Sequence, residues 1–279
     1  MPDRYAVIGN PISHSKSPQI HAEFALQTCQ SLEYSRLLGD LTNFNGDVRQ
    51  FFANAGRGLN VTVPFKAQAW ALADERSPQA ELAGAVNTLT QLPNGRLRGD
   101  NTDGVGLVRD LSRNHGFELR GAQVLLLGAG GAARGVIQPL LEASVAQLVV
   151  ANRTAVKAVE LAAQFAPIGA VRGCGLEALA GRQFDLIINA TSAGLSDAVP
   201  AIPAECLTAG GWIYDMLYSD QCTAFQRWGQ THGAARALDG LGMLVEQAAE
   251  SFWLWRGVRP DTAPIITQLR GTAAAGSRG

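Results

Sequence analysis

Along most of the chain, short runs of apolar residues alternate with stretches in which apolar positions recur every three to four residues. Tyr5–Ile8 is the first run, closed by Gly9-Asn10-Pro11. A helix is predicted from Ser17 to about Cys29, with Ser17 as N-cap and Pro18 at the first helical position. Tyr34–Leu38 reads as a strand and Phe44–Ala55 as a helix; Leu59–Val63 is a strand stopped by Pro64. Val86–Leu92 and Arg96–Arg98 flank Pro93-Asn94-Gly95, and Asn-Gly is the strongest short hairpin signal. Asp103–His115 follows as a helix. A second series opens at Gln123. Val124–Leu127 is continuously apolar, as expected of a strand covered on both faces. A glycine-rich turn and a helix to about Ala143 come next. Then follow a strand at Leu148–Val150, a helix at Thr154–Phe165, and strands at Phe184–Asn189 and Trp212–Asp215. Met243, Leu244, Gln247, Ala248, Ser251, Phe252 and Trp255 share one helical face. The tail GTAAAGSRG is expected to fray. Strands alternating with helices predict an α/β protein with parallel sheets and crossover helices, and the pattern changes near residue 100.

Composition narrows the functional classes. The 279 residues suit two domains, and 47% hydrophobic against 17% charged residues is enough to build a core. With 23 Lys+Arg against 24 Asp+Glu, the formal charge is −1, which argues against a nucleic-acid surface. No apolar run approaches the roughly 18 residues of a membrane helix, and MPDRYAVIGN does not read as a signal peptide. Cys29, Cys174, Cys206 and Cys222 form no CxxC and read as reduced thiols of a cytoplasmic protein. His14, His21, His115 and His232 lack metal-ligand spacing and read as surface or packing residues, so no metal is expected.

Gly128-Ala129-Gly130-Gly131-Ala132-Ala133 follows a buried strand, opens a helix and matches G-x-G-x-x-A. That pattern provides a tight turn, close backbone approach and free N–H groups for a pyrophosphate; the alternative is an ordinary glycine-rich strand-to-helix turn. After the next strand, where an NAD site places an acid, the chain has Asn152-Arg153-Thr154 and Lys157. If the helix starts there with Thr154 as N-cap, Arg153 and Lys157 are four apart and can share a face. A 2′-phosphate suits this pair, which favours NADP over NAD; two solvated cations are the alternative.

The first half carries scattered polar residues. Ser13-His14-Ser15-Lys16-Ser17-Pro18 could bind an anion at a helix start or simply cap it. Lys66 follows Asn60-Val61-Thr62-Val63-Pro64-Phe65, Asn87-Thr88 starts a strand, and Asp103 opens a helix within Asp100-Asn101-Thr102-Asp103-Gly104. Each has a bland reading separately. Together, at strand ends and turns, they outline a ligand crevice.

In combination, YAVIGNPISHSKSP, NVTVPFK, LAGAVNT, GDNTDGVG, LLLGAGGAARGV, ANRT, FDLIINATSAG, YDMLY and DGLGMLVEQAA resemble the shikimate dehydrogenase family, in order and from residue 5 to about 260. The resemblance implies an N-terminal α/β substrate domain and a Rossmann-like, doubly wound NADP domain with the active site in a cleft between them. Residues 1–102, completed by helices in 240–279, would form the first domain, and 103–239 the second. The implied reaction is reversible hydride transfer between NADPH and 3-dehydroshikimate, giving shikimate. By resemblance, Ser15 and Ser17 hold the substrate carboxylate. Thr62, Lys66, Asn87, Asp103 and Gln247 surround the ring hydroxyls, and Tyr218 lies on the substrate side. Lys66 is the implied acid/base, oriented by Asp103. Gly128, Ala129, Gly130, Gly131 and Ala132 would hold the pyrophosphate; Asn152, Arg153, Thr154 and Lys157 the adenosine and its 2′-phosphate; Met216 and Gly240 the nicotinamide end. Lys157 departs from the arginine common in the family and loses its fork geometry. A monomer or homodimer with a small-molecule substrate is expected. The rivals are a quinate/shikimate dehydrogenase with relaxed cofactor use, and a non-catalytic NADPH sensor that would have lost Lys66 or Asp103.

Overall fold

A computed structural model of the protein describes residues 2–191, 193 and 197–276. The chain forms two compact units. One contains the chain up to Gly106 together with Val245–Ile265; the other contains Leu107–Leu244 and the segment from Ile266 onward. Asp103–Gly106 therefore group with the first unit. The last helix groups with the second, where Arg270 meets the buried Asp239 at 2.9 Å.

In the first unit, β1 (Asp3–Gly9), α1 (Ser17–Gln27), β2 (Leu32–Leu38), α2 (Phe44–Ala53) and β3 (Gly56–Val61) follow the predicted order. Then come α3 (Lys66–Leu72), a two-residue β4 (Glu75–Arg76) and α4 (Pro78–Ala83), which weak periodicity had hidden. The hairpin pairs β5 (Thr88–Gln91) with β6 (Leu97–Asp100), turning at Gly95 with φ 81°. The sheet order is β2-β1-β3-β5-β6-β4. It is not parallel throughout, as the sequence suggested. β1, β2 and β3 are parallel, but β5 runs antiparallel to both β3 and β6; the tight turn at Gly95 reverses the chain between β5 and β6, and the return through α3, β4 and α4 brings β5 back against β3. Ile8, Phe44, Phe52, Leu59, Phe65 and Leu89 form its core.

α5 (Asp103–Arg109) continues as one wide π turn, Asp110–Asn114. The second unit then builds β7 (Gln123–Leu127), α6 (Gly131–Glu142), β8 (Gln147–Asn152), α7 (Ala155–Phe165), β9 (Val171–Gly175), β10 (Phe184–Asn189), β11 (Leu207–Asp215), α8 (Ala224–Thr231) and β12 (Arg236–Leu238). Its sheet, β12-β11-β10-β7-β8-β9, is parallel at every pairing. Strand order reverses between β7 and β10, at the ends marked by Leu127 and Asn189, and it is at such a switch point that open α/β sheets bind ligands. Leu125, Val149, Phe184, Ile187 and Phe225 fill the core beneath.

α9 (Leu241–Arg256) is the predicted one-faced helix, and α10 (Ala263–Gly276) extends through residues expected to fray; positions 277–279 lie outside the described residues. Among the described residues no helix is long and apolar enough to cross a membrane.

Candidate functional site

In the first unit, Lys66 stands at the first position of α3, just beyond the end of β3. Its location is set from below. Phe65 is fully buried, stacks on Phe44 at 4.8 Å, and fits only because Gly39 lacks a side chain: a Cβ there would lie 2.5 Å from the Phe65 ring. The Lys66 ammonium donates to Asp103 Oδ2 at 2.5 Å, with side chains 21% and 8% exposed. Asp103 opens α5, its amide held by Asn101 Oδ1. Its other oxygen accepts from Asn87 Nδ2 at 2.9 Å. Asn87 Nδ2 also reaches Thr102 Oγ1 at 2.9 Å and Gln247 Oε1 at 3.2 Å, while Asn87 Oδ1 accepts the Thr102 amide. Four segments far apart in the chain thus converge on one lysine–carboxylate pair. Such a pair is oriented, so the lysine amine can donate a hydrogen bond or proton to an oxygen bound beside it.

A second layer was not legible in the sequence. The buried Asn60 amide donates to Thr88 Oγ1 and Ser251 Oγ, and the Asn60 carbonyl accepts from the Tyr34 hydroxyl at 2.7 Å. Tyr34 also borders Ser17, and burial pushes its phenol well above its ordinary pKa. His21 stacks on Tyr34, with centroids 4.1 Å apart and 8° between planes. Burial pushes the imidazole down to about 3; the Asn60 side chain offsets this in part, although among the described residues no hydrogen bond of normal geometry reaches either ring nitrogen. Asn60 stood in the NVTVPFK motif without a role of its own and Tyr34 carried only strand patterning; the fold joins them.

The serine loop sits nearby in the same unit. Ser17 is not the N-cap. Lys16 holds that position, and its donor-only side chain cannot accept a capping bond; the Ser17 amide donates instead to Ser15 Oγ at 3.3 Å. The two hydroxyls lie 3.2 Å apart beside an uncapped helix start. Thr62 packs over Gly9, where a Cβ would meet its methyl at 2.5 Å.

In the second unit, α6 starts at Gly131 with Gly130 as N-cap and no side-chain cap, leaving its first N–H groups for a ligand. Gly128 adopts φ 109°, and a Cβ there would sit 3.1 Å from the Ala190 carbonyl, so this glycine is demanded by the fold. At Gly130 and Gly131 a Cβ would meet nothing within 4 Å. Packing does not require glycine there, whereas a pyrophosphate lying on the backbone would. Thr154 is at the N-cap of α7 with no side-chain cap bond, and Asn152 Nδ2 donates to its carbonyl at 3.0 Å. Arg153 therefore precedes the helix rather than sharing its face with Lys157. Both are exposed at the same helix end, without the i,i+4 geometry expected of them. At the end of β11, Gly240 packs on the Met216 carbonyl, which a Cβ would approach to 2.3 Å. The buried Asp215 accepts from Asn189 Nδ2 and the Leu217 amide, and burial raises its pKa. This pins the Met216–Tyr218 loop beside the strand-order reversal. Tyr218 is half-buried, which raises its pKa. Ser192 and Gly194 of the FDLIINATSAG segment lie outside the described residues.

These features define a two-unit α/β protein: one unit has the build of a dinucleotide-binding Rossmann domain, and the other carries a lysine–aspartate pair among amide and hydroxyl side chains. Family models match at residues 7–89 (shikimate dehydrogenase substrate binding domain), 110–196 (shikimate / quinate 5-dehydrogenase) and 240–270 (shikimate 5′-dehydrogenase C-terminal domain). The chain belongs to the shikimate dehydrogenase family. It is 58% identical over 270 residues to shikimate dehydrogenase (NADP(+)) of Nitrosococcus oceani, covering 97% of this chain and 96% of that one. A crystal structure of an Ael1 enzyme from Pseudomonas putida superposes with TM-score 0.91 at 48% identity, over 96% and 98% of the two chains. Shikimate 5-dehydrogenase from Thermus thermophilus, solved with NADP(H) and shikimate, gives TM-score 0.86 at 35% identity, over 98% and 100%.

Proposed function

We propose that this chain is an NADP-dependent shikimate dehydrogenase that interconverts 3-dehydroshikimate and shikimate, with reduction as its working direction. The observation that carries this reading is the Lys66–Asp103–Asn87 constellation, at 2.5 and 2.9 Å. A non-catalytic sensor would have no need of it. Bound NADPH supplies the hydride. In the reduction, the Lys66 ammonium hydrogen-bonds the carbonyl oxygen, stabilises the negative charge that develops there and donates the proton. Asp103 aims the ammonium, and Asn87 and Gln247 meet neighbouring ring hydroxyls. Ser15 and Ser17 take the carboxylate at the α1 start. In the second unit, the glycine turn takes the pyrophosphate. Arg153, Thr154 and Lys157 surround the 2′-phosphate, with Asn152 beside the adenosine. Met216 and Gly240 shape the nicotinamide end.

The test is oxidation of shikimate and of quinate, each with NADP and with NAD, by the parent protein and by Lys66→Ala, Asp103→Ala and the double variant. Lys66→Ala is expected to lower kcat by about 10²–10⁴ with the KM for NADP unchanged. The double variant is expected to fall short of the summed losses, because the pair acts as a unit. A folded Lys66→Ala protein turning over within a few-fold of the parent overturns the assignment.

A further inference from the structure

Successive residues of a strand point to opposite faces, so Tyr34 and Arg36 of the edge strand β2 lie on one face, two positions apart. Both serve the serine loop. Tyr34 borders Ser17, and the Arg36 guanidinium grips Ser15: Nε and Nη2 both donate to the Ser15 carbonyl, at 3.0 and 2.6 Å. Arg36 spends two of its donors on a neutral oxygen, and among the described residues no carboxylate pairs with it. Its positive charge is thus held, uncompensated, against the backbone of the residue whose hydroxyl faces Ser17. The same loop is fixed at its other end by Asn10, whose side-chain amide donates to the Gly39 carbonyl at 3.0 Å and whose backbone amide donates to the Val63 carbonyl at 3.1 Å. Between Asn10 and Arg36, the loop is tied to the end of β2 at two points.

We infer that Arg36 is a positioning residue for the anionic end of the substrate: it sets the Ser15 hydroxyl by clamping the Ser15 carbonyl, and its charge favours a carboxylate over a neutral group at the serine pair. The inference rests on the reading of Ser15 and Ser17 as the carboxylate site. Two properties of the guanidinium separate its contributions. The planar fork makes the two-donor clamp, which a lysine cannot reproduce. The charge acts through solvent at an exposed position, so its effect is screened by salt.

The test compares the parent with Arg36→Gln and Arg36→Lys, using shikimate and its neutral methyl ester at low and high ionic strength, with Ser15→Ala and Ser17→Ala as references. For Arg36→Gln the KM for shikimate is expected to rise about tenfold, the scale of one charge-assisted hydrogen bond. Its kcat, its KM for NADP and its thermal midpoint should hold, the ester should be little affected, and the salt dependence of the shikimate KM should flatten. Arg36→Lys should keep the salt dependence and lose part of the affinity. If Arg36→Gln does not fold, Arg36→Lys carries the same comparison of acid with ester. An unchanged shikimate KM, or an equal loss for acid and ester, overturns the inference. If the serine variants respond and the Arg36 variants do not, this inference alone fails. If the serine variants bind shikimate as the parent does, the carboxylate reading fails and this inference with it.

Discussion

Replacing His21 by phenylalanine should make the protein more resistant to acid. The imidazole is fully buried and stacked on Tyr34, and its pKa is about 3 instead of the ordinary 6.5. The cause is desolvation of the charged form. In the folded protein the ring stays neutral well below the pH at which the unfolded chain takes up a proton. The stability linked to this group is therefore complete above about pH 6.5 and is lost as pH falls towards 3. Each unit costs about 1.4 kcal/mol, so two units down, near pH 4.5, the loss is about 3 kcal/mol, approaching 5 kcal/mol by about pH 3. Phenylalanine keeps a ring for the stack and has no group to protonate. It also removes two buried nitrogens that lack hydrogen bonds. The assay is urea unfolding of parent and His21→Phe at steps from about pH 7.5 to 4.5, followed by tryptophan fluorescence, to which Trp255, 5.6 Å from the imidazole, contributes. Taking the difference between the two proteins cancels the carboxylate titrations they share. The stability gap should open by about 1.4 kcal/mol per pH unit below 6.5 in favour of the variant. Curves that stay parallel across the window would refute the argument, since the buried ring would then cost nothing to protonate.

Other outcomes follow from the second unit and the serine loop. Arg153→Ala should raise the KM for NADP far more than that for NAD, eroding a parent preference of at least about tenfold; equal use of both cofactors by the parent would contradict the phosphate assignment. Gly240→Ala should lower the thermal midpoint, at a cost of about 1–3 kcal/mol, and raise the KM for NADP, because its methyl would meet the Met216 carbonyl. Ser15→Ala and Ser17→Ala should mainly raise the KM for shikimate, as measured by steady-state kinetics, leaving the NADP KM unchanged.

The second sheet was largely written in local patterning. Val124–Leu127 and Phe184–Asn189 are apolar runs because both faces of a parallel sheet are covered, and each appears where it was expected. The glycine turn was equally plain, since tight backbone geometry leaves few residue choices. Elements that depend on their neighbours were missed. β9, β12 and the two-residue β4 are short edge or near-edge pieces that persist by pairing. The antiparallel arrangement of β5 with β3 was also hidden, because strand direction is a property of the chain's return path and not of the strand's residues.

The sequence by itself determined the order of the elements, the glycine turn and the basic residues after β8, because these depend on local periodicity and on residue chemistry; Lys66, Asp103 and Asn87 stood out only through the family resemblance. Only the tertiary structure decided that Lys66 meets Asp103 across 37 positions and that Asn87 meets Gln247 across 160. The same holds for the Asn60–Tyr34–Ser251 layer and for the grip of Arg36 on Ser15. Such contacts depend on strand register and on the packing of α9, which bring distant side chains within about 3 Å of one another. No local pattern encodes that separation, since each partner satisfies its own helix or strand equally well without the other.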